Sequence, residues 1–361
     1  MFGRTTQQRQ QRVIKTKAAE PGNDPRKRVD CYPEPITNVT ELQQKCAMRG
    51  CIFDSYIDQD VLSAPQCYFP RDTGYSPLNQ KAPIGSVYVY KSGTFANPYG
   101  VDIAFLHFSY SYSGATLNVH IGQSDRQAIA TLLLSEMINT EQLLFRPHFF
   151  GCACLRGHTP PIQFPRLPSL SSELLNVEIA SDPNIFSFSV QRQSTKTSIW
   201  DTSIGALLFA DQYIQIATFL PTDSIYGFGE HAHLSLKHDL SQYTTWGMLA
   251  RDEAADYAQK QRNNLYGVHP FYLGVESDSI AHGVFIANSN PQEVTTGPGP
   301  HLVYRTIGGN LDIYFFPGPT PEEVIQQYQA LIGSPLLPSY WSLGFQVFLI
   351  SSFFFARLKN M

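Results

Sequence analysis

Four cysteines, Cys31, Cys46, Cys51 and Cys67, fall within 37 residues of one another. A segment that short cannot hold itself together by apolar burial alone. Paired thiols would supply the missing stability, so the window predicts a small stapled module. Within it, DCYPEPITNVTELQQKCAMRGCIFD predicts one short helix among loops, with Thr40 and Gln43 as a capping-box pair at its start and Gly50 placed to end it. A zinc site and four unrelated thiols are the alternatives. Zinc is disfavoured because the spacing lacks a paired Cys-x2-Cys knuckle. Asn38-Val39-Thr40 is the one N-glycosylation acceptor of the chain and lies inside this window.

The module occupies a small part of 361 residues, which leaves room for one large domain beside it. Upstream, residues 1–28 carry eight Lys and Arg against Glu20 and Asp24, while the whole chain is net −4. No aromatics are interleaved with those cations, so a solvated, disordered leader is expected rather than a tail that grips nucleic acid. The longest apolar run, VFLISSFFFA at 347–356, has ten residues and two serines. It is too short to cross a bilayer as a helix, and no signal-peptide core precedes the cysteines.

From about 84 to 317 the chain alternates apolar and polar residues between turn signals. IFSFSV places Phe186, Phe188 and Val190 on one face, and YIQIATFL does the same for Ile214 and Ile216, the period of half-buried strands. HLVYRTIGGNLDIYFF sets Gly308-Gly309 between two apolar runs, as a tight hairpin requires. Together these predict a mainly β chain built on a large antiparallel sandwich. One helix follows: Thr320 caps it, Pro321 takes its first position, Glu323 completes a capping box and Gly333 ends it. Val324, Ile325, Tyr328 and Leu331 would form its buried stripe. Residues 127–172 are Pro-rich and aperiodic and read as a long irregular connection, with Cys152 and Cys154 as two ordinary thiols.

The conspicuous polar stretch is YGFGEHAHLSLKHDL, 226–240, followed by TTWGMLARDEAADY. His231, His233, His238 and Glu230 are a candidate metal set of the cupin kind. The glutamate such a motif wants after its second histidine is missing, since Lys237 and His238 hold those places. No Gly-x-Ser-x-Gly elbow, Walker loop or His-Glu-x-x-His occurs. The remaining carboxylates and aromatics suit sugars, whose hydroxyls need planar acceptors and whose apolar faces stack on rings.

Two resemblances sharpen this. Cys31-Tyr32-Pro33, then Arg49-Gly50-Cys51-Ile52-Phe53-Asp54, then Cys67-Tyr68 closely resemble the P-type trefoil pattern. The family's first cysteine has no counterpart here and its fifth is replaced by Ile52. Those two pair with each other in the family, so the resemblance implies the surviving bridges Cys31 to Cys51 and Cys46 to Cys67. Residues 173–346 resemble the N-terminal, galactose mutarotase-like sandwich of glycoside hydrolase family 31 α-glucosidases of the maltase-glucoamylase and sucrase-isomaltase type. The matching segments include SIGALLFADQYIQIATFLP, TTWGMLARD, NLYGVHPFYLGVE and YRTIGGNLDIYFFPGPTPEEVIQQY.

The resemblance implies a leader at 1–28, a trefoil at 29–75, a sandwich at 76–340 and a divergent apolar end at 341–361. It also implies hydrolysis of terminal α-glucosidic bonds in maltose-type oligosaccharides, with no cofactor and no metal. A sandwich loop in the family reaches over the active site of a β/α barrel and binds the terminal glucose through an aspartate. The matching residue is Asp252, with Arg251 and Trp246 as supports. Retaining hydrolysis needs two carboxyl groups about 5–5.5 Å apart. The family's nucleophile segment, Trp-x-Asp-Met-Asn-Glu, is not in these residues, and a barrel needs roughly 250 residues, whereas VFLISSFFFARLKNM follows Gln346. The expectation is therefore an N-terminal portion of such an enzyme that is inactive alone, or else a non-catalytic module that binds carbohydrate or protein. The expected partner is an α-glucoside, with no nucleic acid. Family context adds an extracellular or membrane-bound ectodomain, associated with a membrane or with mucin.

Overall fold

The structure, a computed structural model, describes residues 24–344 except 36–37, 56–60, 62, 79–82, 93–94, 96, 124–163, 234, 252 and 254–263. Cys152, Cys154, the leader before residue 24, most of the Pro-rich connection and the apolar run at 347–356 lie outside the described residues. Among the described residues no helix is long and apolar enough to cross a membrane.

In the cysteine window, helix α1 runs Val39–Met48. Its cap is Asn38, whose Oδ1 accepts from the Glu41 amide at 2.7 Å, so the helix starts two residues before the Thr40 expected from sequence. Asn caps at least as well as Thr, and here it has a glutamate three residues on. Gly50 ends the helix at φ +72°; its amide donates to Ala47 O and the Cys51 amide to Cys46 O, each at 3.1 Å, a complete Schellman closure. Disulfides join Cys31 to Cys51 and Cys46 to Cys67, and strands β1 (Ile52–Phe53) and β2 (Cys67–Tyr68) pair beside them. Within residues 24–28, assigned to a disordered leader from sequence, Pro25–Lys27 form a short 3-10 turn with Arg26 and Lys27 exposed, and Arg28 is packed. Arg28 is buried and pairs with Asp54, while the Tyr243 hydroxyl accepts from the Arg28 amide at 3.0 Å and donates to Pro25 O at 2.8 Å.

The large domain begins with β3 (Tyr75–Pro77), β4 (Ser86–Lys91), β5 (Phe105–Ser113), β6 (Thr116–Gly122), β7 (Leu175–Ile179), β8 (Phe188–Arg192) and β9 (Ser198–Asp201). It continues through β10 (Leu208–Ala210), β11 (Tyr213–Phe219), β12 (Ile225–His231), β13 (Thr244–Met248), β14 (Asn264–Val275) and β15 (Ala281–Ile286). It closes with β16 (Gln292–Gly297), β17 (His301–Thr306), β18 (Leu311–Phe316) and helix α2 (Pro321–Ile332). Sheet one has the order β13-β16-β17-β11-β9-β8-β7, with β10 on β11; sheet two has the order β12-β14-β15-β18-β6-β5-β4-β3. Every strand pairing is antiparallel. One apolar core lies between the sheets, with Phe186, Phe188, Val190, Ile214 and Ile216 of the sequence-read strands inside it beside Trp200 of β9.

Two strand expectations change. β11 reads as half-buried, but Gln215 and Ala217 on its other face are buried as well. The cystine module sits there: Cys31, Cys46, Cys67 and Phe69 pack with Leu208, Ala217 and Val303. Gly308-Gly309 does not close a hairpin. β17 pairs with β11 and β16, β18 with β15 and β6, so this turn carries the chain from one sheet to the other. Gly309 has φ +83° and a Cβ there would meet Asn288 Nδ2 at 2.8 Å, while that amide donates to Gly308 O at 2.9 Å. Turn chemistry marks where the chain reverses but not which sheet receives it.

α2 shows both bonds of the capping box at Thr320 and Glu323. Its buried stripe is Val324, Gln327 and Leu331, with Tyr328 stacked on Phe271 at 4.5 Å. Ile325 is exposed, contrary to the sequence expectation. Gln327 takes the buried position because its amide closes a two-way bond with Gly318, donating to O at 2.8 Å and accepting from N at 3.1 Å.

A buried charge group ties the two sheets. Arg192 of β8 donates to Glu276 from Nε at 2.9 Å and from Nη2 at 2.6 Å, and also to Pro317 O and Ala281 O. His282 adds a contact to Glu276 at 2.9 Å. Burial opposes the Glu276 charge, yet the bonds from His282 and Arg192 hold its carboxyl below the usual range. Arg192→Ala, which strands Glu276 in the interior, is expected to cost about 3–5 kcal/mol in urea unfolding, whereas Arg192→Met with Glu276→Leu recovers most of it. A loss below about 1 kcal/mol for the single variant contradicts this role.

Candidate functional site

β12 does not pair smoothly with β14: the register shifts between Gly227 and Gly229 and again between Gly229 and His231. Gly227 adopts φ +111°, and a Cβ there would lie 2.6 Å from Phe271 O, so this bend needs glycine. The shifted ladder brings the histidines of YGFGEHAHLSLKHDL onto Trp246 of the neighbouring β13. His233 stacks on the Trp246 indole at 4.3 Å between centroids, with His231 at 5.2 Å and His238 at 5.5 Å. His231 Nε2 contacts Gly247 O at 2.6 Å, and His238 Nε2 contacts Gly227 O at 2.7 Å.

Burial pushes all three imidazoles below their ordinary range. For His233 the neighbouring His238 and His231 add to it, and its value falls to about 4. At neutral pH the three rings are uncharged, and the indole rests among them in an apolar pad.

This arrangement does not suit a metal. His231 and His238 turn nitrogens to backbone carbonyls, and Glu230 Oε2 accepts from the Gly267 amide at 2.8 Å. Among the described residues the one group of close ligand atoms is Cys31, Cys51 and Cys67. Those sulfurs are in disulfides and offer no thiolate.

β13 leads from this pad into the loop that sequence singles out. The Arg251 amide donates to Leu265 O at 2.8 Å, the Glu253 carboxylate accepts from the Asn264 amide at 3.1 Å, and Arg251 Nη2 pairs with Glu253 Oε1 at 3.1 Å. Both chain neighbours of Asp252 are thus fastened to the start of β14, while Asp252 and residues 254–263 lie outside the described residues. The Arg251 side chain remains exposed. Sequence reasoning names Trp246, Arg251 and Asp252 but misses His233 as the stacking partner and Glu253 as the clamp. The alternating histidines ahead of a tryptophan strand were the available signal. Asn38, the glycosylation acceptor, is exposed at the start of α1.

Residues 22–70 match the P-type trefoil domain, and residues 168–294 match the glycosyl hydrolase 31 N-terminal galactose mutarotase-like domain. Intestinal sucrase-isomaltase of Oryctolagus cuniculus is 38% identical over 331 residues, 89% of this chain and 16% of that protein. Probable maltase-glucoamylase 2 of Homo sapiens is 34% identical over 329 residues, 88% of this chain and 12% of that protein. The chain therefore spans a small part of the length of these relatives. Among solved structures, the Tris-bound glucosidase II alpha subunit shares the fold at TM-score 0.52 and 16% identity, over 87% of this chain and 39% of that one.

The imidazole pad has a pH signature. Because His233 in the folded protein lies below its ordinary 6.5, at about 4, the unfolded chain takes up the proton more readily. The contribution of neutral His233 is complete above about 6.5, declines as pH falls toward about 4, and levels off below. Urea midpoints measured across that window should fall with acid in the native chain and fall less steeply in His233→Phe. Equal slopes in the two proteins would show that His233 is not coupled to folding.

Proposed function

Because the chain carries the trefoil and the N-terminal mutarotase-like domain of glycoside hydrolase family 31, we propose that it is the sugar-site-completing, non-catalytic part of an α-glucosidase acting on maltose-type oligosaccharides. In this reading the loop after β13 reaches toward the terminal glucose, Asp252 accepts hydrogen bonds from its hydroxyls, and Arg251 and Trp246 hold the loop in place. The observation that carries it is the double fastening of the loop root. Trp246 is held by the stacked His233, and the residues on either side of Asp252 are tied to β14. A carboxylate on a fixed root can aim at a hydroxyl without losing its own freedom on binding.

The chemistry of bond cleavage needs a nucleophile and an acid/base carboxyl on either side of the glycosidic bond. The 361 residues contain no segment of the family's nucleophile type. They supply contacts to the sugar and the wall of the site, and the cleaving carboxylates belong to a catalytic domain of the family. The trefoil and the exposed acceptor Asn38 fit an extracellular setting for the assembled enzyme.

The purified 361-residue chain should show no turnover of maltose or p-nitrophenyl α-glucoside above background; turnover well above it would overturn the non-catalytic assignment. In a chimera joining these residues to a family-31 catalytic domain, Asp252→Ala is expected to raise KM for maltose at least about tenfold. An unchanged KM would remove Asp252 from the sugar site.

A further inference from the structure

At the far end of sheet two from β12, the outward positions of β4, β5 and β6 form a face that the loop site does not use. Register sets Tyr90 opposite Phe105 and Tyr88 opposite His107. Phe105 is 61% exposed, Tyr88 and Tyr90 are 36% and 37% exposed, and the Tyr88 and His107 rings lie 4.8 Å apart. Along β5 the face then turns polar. Ser109 faces His120, which is paired with Asp312 at 2.8 Å, and Ser111 faces Asn118, which faces Tyr314 of β18.

The polar end opens into a cleft of about 80 Å³ lined by Ser111, Tyr112, Asn118, Arg166 and Tyr314. Its rim is built in: the Arg166 and Leu167 amides donate to the last carbonyls of α2, Leu331 O at 3.1 Å and Ala330 O at 2.9 Å. Asn118 Nδ2 in this cleft and His107 Nε2 on the aromatic stripe are shielded and make no hydrogen bond. A shielded polar atom left unmet is costly, and a side-chain rotation that brings it to a ligand hydroxyl relieves that cost.

We propose that this face is a binding site for a neutral, extended oligosaccharide, separate from the loop site at Asp252. Exposed rings offer flat apolar surface to pyranose faces, and serine hydroxyls, an amide and a guanidinium at one end meet hydroxyl groups. Charge selects the ligand class. At the outward strand positions the carboxylate is Asp312, in contact with the His120 ring at 2.8 Å, and Arg166 stands at the rim, too little positive charge for a nucleic acid and too polar a floor for a lipid. Phe105 and Ser111 are six residues apart on one strand, about 20 Å at ~3.4 Å per residue, room for several sugar rings rather than one.

The test is calorimetric titration of the 361-residue chain with maltoheptaose. Saturable binding is expected, weakened at least about fivefold in Tyr88→Ala, Phe105→Ala and Asn118→Leu. The first two change exposed side chains and should leave the thermal midpoint unchanged. No saturable binding, or binding indifferent to all three variants, overturns the proposal. Binding lost in Asp252→Ala but kept in Tyr88→Ala assigns the sugar to the loop and overturns this site while leaving the loop reading intact.

Discussion

The seat of the cystine module on the outer face of sheet one is the contact on which the rest of the molecule depends. Neither partner is complete without the other. The module has too few apolar residues for a core of its own, and its sulfurs and Phe69 instead join Leu208, Ala217 and Val303 of the sheet. Arg305 of β17 is buried in this seam. Its Nε donates to Gln215 at 2.8 Å, and its Nη1 reaches Glu293 at 3.0 Å and Thr295 at 2.9 Å. Asp30 of the module lies in the same seam, where burial raises its carboxyl to about 6 against the opposing pull of Arg305. A guanidinium so placed is tolerable only when its donors are met, so the polar pattern of β11, β16 and β17 makes sense only with the module in place.

From that fixed sheet the rest is positioned in order. β16 and β17 hold β13, β13 carries Trp246, and the imidazoles delivered by the bent β12 hold the indole from the sheet-two side. The loop bearing Arg251 therefore has its root at a junction of both sheets. At the other margin Arg192 and Glu276 join the sheets again, and α2 covers sheet two over β15 and β18. This leaves the β4–β6 face, with its rings and its cleft, as the open part of that sheet among the described residues.

Where local chemistry decides, the sequence was legible. Thr320 with Glu323 and Gly333 bounds α2 because caps answer to neighbours three residues away. The apolar alternation of 185–190 and 213–220 gave strands for the same reason. Distant partners were not legible. Ile325 outranks Gln327 as a buried residue until Gly318 is known to lie beside it, and Gly308-Gly309 looks like a hairpin until each strand's partners are known. At the site, His231, His233 and His238 stood out in the sequence as a candidate metal set, and nothing local showed that they meet an indole. Arg251, Asp252 and Trp246 were named through family resemblance, because nothing in their spacing distinguishes a sugar-contacting carboxylate from a solvated one.

The shared seam makes the module and the sandwich one cooperative body, and differential scanning calorimetry of the disulfide-intact chain tests that most directly. A single transition whose calorimetric and van't Hoff enthalpies agree is the expected result. An early, separate transition for the cystine module, with the sandwich melting later and unchanged, would contradict it.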